Sequence, residues 1–163
     1  MYFDISFVGC GSAEAIKGYR YPVTKDVLEK AVMKVIKGSP NIYRDSSKNG
    51  MFDSAMQKAE NEHSSVDSAI YYNDGKHYVT IKIKVGQIDN DYIFRFYGDE
   101  QYWKTSASSE IFINYVRDRY GNALSQGHNE NGEFKSKMAK EFTSLFETEF
   151  INKLDKELNL KHY

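Results

Sequence analysis

The chain has 163 residues, of which 40% are hydrophobic and 28% charged, and its 22 basic and 23 acidic residues leave a net charge of −1. This fits one soluble globular domain; it argues against a disordered, collagen-like or proline-rich chain and against bulk electrostatic attraction to nucleic acid or anionic lipid. A single cysteine excludes an intrachain disulfide and a cysteine-rich zinc site, and no apolar run reaches the ~18 residues of a membrane span.

Residues 1–21 read as an N-terminal segment and tether, and 22–163 as one α+β domain. Residues 11–21 are small and polar with little periodicity. A helix is predicted over 24–37. Thr24 offers a capping hydroxyl, Asp26 complements the positive end of the dipole, and Leu28, Ala31, Val32 and Val35 share one face. Lys34 and Lys37 lie near its negative end, Gly38 supplies a left-handed cap, and Pro40 forbids continuation. Residues 39–66 carry few signals, apart from a short helical spacing at Met51, Phe52, Ala55, Met56 and Ala59.

A strand meander follows. Residues 67–72 carry Ile70 and Tyr72 on one face, and Asn73-Asp74-Gly75 is a tight-turn signal. From His77 to Val85 the alternation is strict. Val79, Ile81, Ile83 and Val85 point one way; Tyr78, Thr80, Lys82 and Lys84 point the other. Residues 86–91 read as a turn, 92–97 as a strand, 98–100 as a turn and 101–105 as a fourth strand. A helix is predicted after Ser106, on the stripe Ile111, Phe112, Tyr115, Val116 and Tyr120, ending at Gly121. After a polar loop over 122–132, a last helix runs from about Glu133 to Leu158. Phe142, Phe146, Phe150 and Leu154 lie on its apolar side. At roughly 40 Å it would overhang the sheet or kink.

The expected fold is therefore α+β: an antiparallel meander of 3–4 strands with helices packed on one face. The other face presents Tyr78, Thr80, Lys82, Lys84, Arg95 and Tyr97 as candidate partner-binding residues. With 13 Tyr and 10 Phe in the chain, aromatic contact is the expected mode of binding there.

Phe7-Val8-Gly9-Cys10, followed by Gly11-Ser12, resembles the lipobox of bacterial lipoproteins. The resemblance covers about six residues and implies a thioether lipid on Cys10, cleavage before it, and a membrane-anchored product in the cell envelope. The basic segment and 7–15-residue apolar stretch of a signal peptide are not among residues 1–6, and Asp4 stands there instead.

No catalytic, metal or cofactor motif is present. Asp89-Asn90-Asp91 lacks the ligand spacing of a calcium loop. Gly9-Cys10-Gly11-Ser12 is no phosphate loop. Glu62-His63-Ser64-Ser65 places acid, base and nucleophile types side by side, where a triad needs them converging in space. The four histidines, His63, His77, His128 and His162, are scattered. The expectation is a non-enzymatic envelope lipoprotein, accessory or immunity-type, working by contact with an unknown protein partner. It involves no cofactor, metal or nucleic acid, and touches membrane only through lipid on Cys10. The alternatives are a cytosolic interaction module, and a small hydrolase or carbohydrate-binding module using the tyrosine-rich sheet face.

Overall fold

The computed structural model describes residues 17–44, 74–125 and 132–163. Cys10, the helical spacing at 51–59 and the strand expected at 67–72 lie outside the described residues.

Strands β3 (Tyr78–Val85) and β4 (Ile88–Phe96) form the centre of the sheet. Val79, Ile81, Ile83, Tyr92 and Phe94 are fully buried on one face, as the period of two requires. The turn expected over 86–91 is only Gly86-Gln87, because Val85 already pairs with Ile88. Gly86 takes φ 59°, the left-handed conformation that a two-residue hairpin needs. Asp89 and Asp91, turn-type residues in sequence, become strand residues because each lies opposite a lysine, Lys84 and Lys82 respectively. Opposite charges across a ladder favour pairing.

The largest departure is β5 (Ser109–Arg117), where a helix was expected. Ile111 and Ile113 are fully buried, and then Val116 is. The ladder to β4 slips between Ile93 and Phe94, so that Phe94 faces Ile113 while Ile93 faces Tyr115. Asn114 is the extra residue of this bulge. The slip shifts the alternation by one and makes a strand look helically spaced. Residues 101–105 depart in the opposite direction. They lie in the short helix α2 (Glu100–Thr105), whose first turn is capped by the Asp99 carboxylate, 2.9 Å from the Tyr102 amide.

β1 (Gly18–Tyr21) corrects the tether reading of its residues. It pairs with the first half of β5, and Tyr19 and Tyr21 are fully buried. Short strands β2 (Ile42–Arg44) and β6 (Ala123–Ser125) pair with β3 and with the end of β5. The sheet order is β1-β5-β4-β3-β2, all antiparallel, with six strands among the described residues. The fold is α+β, with a sheet larger than the expected 3–4 strands.

Helix α1 (Lys25–Gly38) forms where predicted, with two differences at its ends. Thr24 is the cap residue but its side chain makes no capping bond, and the chain leaves the helix at Ser39 in extended conformation rather than through a left-handed glycine. The last helical region comprises α3 (Gly132–Phe146), a π turn (Glu147–Ile151) and α4 (Asn152–Leu158). At the π turn the Asn152 amide reaches back five residues to the Glu147 carbonyl. The extra residue lets Phe150 and Ile151 both be fully buried beside Phe146 and Leu154. Phe146 packs on Tyr19, Tyr92 and Phe94, and Phe150 on Phe94, at centroid distances of 5.1–5.9 Å. Removing one such ring would cost about 3–5 kcal/mol. α1 and this helical region thus bury one face of the sheet.

Candidate functional site

The other face is organised by strand parity into two ends. At one end, β3, β4 and β5 place Lys82, Asp89, Asp91 and Arg117 together, and the turn after β5 adds Asp118, Arg119 and Gly121. They line a cleft of about 290 Å³. Its charges are matched. Lys82 Nζ lies 3.3 Å from Asp89 and 3.8 Å from Asp91, and Arg117 lies 3.7 Å from Asp91. Arg119 donates to the Gln87 carbonyl at 3.2 Å. Asp118 is spent on its own turn, accepting from the amides of Tyr120 and Asn122 at 2.8 and 2.9 Å. Pairs held this way maintain local geometry.

The second end is built by β1, β4, β5 and α2. In the sheet register, Arg20 on β1 faces Glu110 on β5, and Phe112 on β5 faces Arg95 on β4. The Arg95 guanidinium lies over the rings of Tyr78 and Phe112, 5.7 Å from each centroid. Tyr97 and Tyr102 meet edge to face at 5.4 Å, and the Arg20 Nη2 donates to the Tyr102 hydroxyl at 3.4 Å. Bonds from Ser106 and the nearby Arg20 hold the Tyr102 hydroxyl below the usual tyrosine range, against its partial burial. Burial pushes the Glu110 carboxyl above the usual carboxylate range, and Arg20 offsets only part of this. A Cβ at position 18 would collide with the Glu110 carboxylate, so Gly18 makes room for it.

α2 sits across the end of the sheet, with neighbouring side chains going to opposite sides. Tyr102 turns to the arginine end. Trp103 packs with Phe96 around Lys25, whose ammonium lies 4.5 and 4.7 Å from the two ring centroids and pairs with Glu29. The Trp103 indole donates to the Tyr97 carbonyl at 2.7 Å. This is how Lys25 is buried with only 4% exposure.

The six sequence-predicted residues share the face but differ in access. Thr80 and Tyr78 are buried, at 0% and 8% exposure, which corrects the expectation of a wet face there. Thr80 is a small side chain opposite Ile93, itself buried, and Tyr78 lies under the Arg95 guanidinium. Lys82 belongs to the charge-matched cleft, and Lys84 is exposed. Arg95 and Tyr97 come together in the second end, where Tyr97 is 40% exposed. Sequence reasoning missed Arg20, Tyr102 and Glu110. Tyr19-Arg20-Tyr21 carried a strand-like alternation that a short, polar context concealed. The other two were hidden by the exchange of strand and helix over 101–117.

Among the described residues, no three His, Cys, Asp or Glu side chains are grouped to hold a metal ion, and no helix is long and apolar enough to cross a membrane. Comparison with protein-family models, curated proteins and solved structures finds no match.

Proposed function

We propose that this chain is a non-enzymatic binding protein of the bacterial cell envelope, lipid-anchored at Cys10, that works by contact with a protein partner through the Arg20–Arg95–Tyr97–Tyr102 end of its sheet. The observation that supports the contact surface is the gathering of two arginines and two tyrosines, one of them well exposed, on the face opposite α1 and the last helical region. Arginine and tyrosine dominate binding energy at protein interfaces, because they offer large, stiff area with polar tips. An accessory or immunity-type role, in which the chain masks a second protein, is compatible with such a surface. The support for the anchor is the lipobox-like Phe7-Val8-Gly9-Cys10. A single acyl chain holds a membrane marginally, whereas two or three hold it stably.

The anchor is tested by expressing the gene with its native upstream region, fractionating the cells and taking the intact mass. A membrane-bound product that starts at Cys10 and carries added acyl mass is expected. A soluble, unmodified product that keeps Met1 would remove the envelope reading and favour a cytosolic interaction module using the same face. The face itself is tested by retention of cellular partners on wild-type protein and on Tyr97→Ala. Undiminished retention by the variant would return this end of the sheet to plain solvent.

A further inference from the structure

We infer that the Arg20–Arg95 end of the sheet face receives an acidic, extended segment of its protein partner, an inference that rests on the reading of this face as a contact surface. The argument is a comparison of the two ends. At the charge-matched cleft, Lys82 and Arg117 already have aspartates beside them. At the other end the cations are met differently. Arg95 is met by the π faces of two rings, and Arg20 by one long hydrogen bond to a phenol. The Arg20 Nε is buried without a hydrogen-bond partner.

A guanidinium carries five donors in a planar fork that suits a carboxylate. The buried Arg20 Nε goes unanswered at a cost in free energy, and a partner's carboxylates would make charge-assisted bonds to the outer donors of the two forks. Glu110 is the acid facing Arg20, and its burial disfavours the ionised form. The end therefore sets two arginines against the one carboxylate that faces them, Glu110, on a chain whose net charge is −1. Sheet spacing sets the Cα atoms of Arg20 and Arg95 about 12 Å apart. This matches carboxylates about four residues apart along an extended strand, and Tyr97, Tyr102 and Phe112 supply the apolar floor between.

The test titrates 15N-labelled protein with three fluorescein-labelled ten-residue peptides, alternating Glu-Ser, Gln-Ser and Lys-Ser. The arginine Nε–Hε signals and the anisotropy of the label are followed together. The Glu-Ser peptide is expected to shift the Arg20 and Arg95 signals and to bind more weakly as salt is raised. Arg20→Gln and Arg95→Gln are each expected to weaken it about tenfold, with an unchanged amide spectrum elsewhere as the control for folding. Arg20→Gln serves if Arg95→Gln disturbs the ring stack. Equal binding of the Gln-Ser peptide, shifts confined to Arg117 and Arg119, or no binding of Glu-Ser at millimolar concentration would overturn the inference.

A random peptide library selected on the wild-type protein separates this failure from that of the face itself. Binders lost in Tyr97→Ala or Arg95→Gln but not rich in acids leave the contact surface standing and remove the acidic segment. Binders indifferent to both variants remove the contact surface as well.

Discussion

Glu110 is a carboxyl with too little water around it and one cation, Arg20, to compensate. Its folded-state pKa lies above the ordinary 4.5. Between those two values the native chain holds more protons than the unfolded one. Stability therefore falls as pH rises through that window and stays lower above it. Glu110→Gln removes the titration. The variant is expected to gain in thermal midpoint over wild type at pH 7 and to lose that advantage near pH 3. A pH series of melting curves checks this, and an advantage that does not shrink on acidification would contradict the assignment. Elsewhere, two buried tyrosine hydroxyls find carboxylates. Tyr21 donates to Asp155 at 2.8 Å and Tyr19 to Glu147 at 3.1 Å. Burial beside these acids pushes both phenols well above their usual range. They serve as fixed donors that join β1 to the π turn and α4.

Two glycines show how an element can depend on backbone freedom, on space, or on both. Gly86 and Gly98 both take positive φ, at 59° and 93°. Nothing lies within 4 Å of a Cβ built on Gly86, whereas one on Gly98 meets the ring of Tyr102. Gly86→Ala is expected to cost about 1 kcal/mol of backbone strain. Gly98→Ala is expected to cost more, about 2–3 kcal/mol, because the ring must also move. Denaturant midpoints of the two variants test the order; equal losses would mean that Tyr102 yields freely. The same contrast between local signal and context explains which elements were legible. α1 was readable because its apolar stripe and its punctuation agree. β3 was readable because its alternation is unbroken. β5 was misread because a one-residue bulge at Asn114 breaks the alternation at the point where a helix stripe would match it. α2 was misread because six residues are too few for a periodic signal, and its cap residue, Asp99, sits in a segment that also reads as a turn.

At the scale of the molecule, β1 and residues 162–163 pack together at one edge of the sheet. β1 contributes Tyr19 and Tyr21 to the core, and residue 163 pairs with β1 on its outer side. The Arg20 amide donates to the Tyr163 carbonyl at 3.2 Å, and the Tyr163 amide to the Arg20 carbonyl at 3.1 Å. His162 adds contacts of 3.0–3.1 Å to both Asp155 oxygens and packs edge-on against Tyr19. The unit therefore begins no later than residue 18. A chain starting at Pro22 loses two buried rings and a strand, and is expected to give up cooperative unfolding. A melt by near-ultraviolet circular dichroism decides it, and a cooperative transition within a few degrees of the parent would show β1 to be dispensable.

The sequence by itself determined the fold class, the buried faces of α1, β3, β4 and the last helical region, and the placing of Arg95 and Tyr97 on the side of the sheet away from the helices. Those are properties of periodicity, and period is local. Only the tertiary structure decided that residues 18–21 are a strand, that Thr80 and Tyr78 are covered, and that Arg20, Glu110 and Tyr102 join Arg95 and Tyr97 at one end. Register across β1, β5 and β4 brings those five together. Register depends on which strands pair and where a bulge slips them, so no single segment carries it.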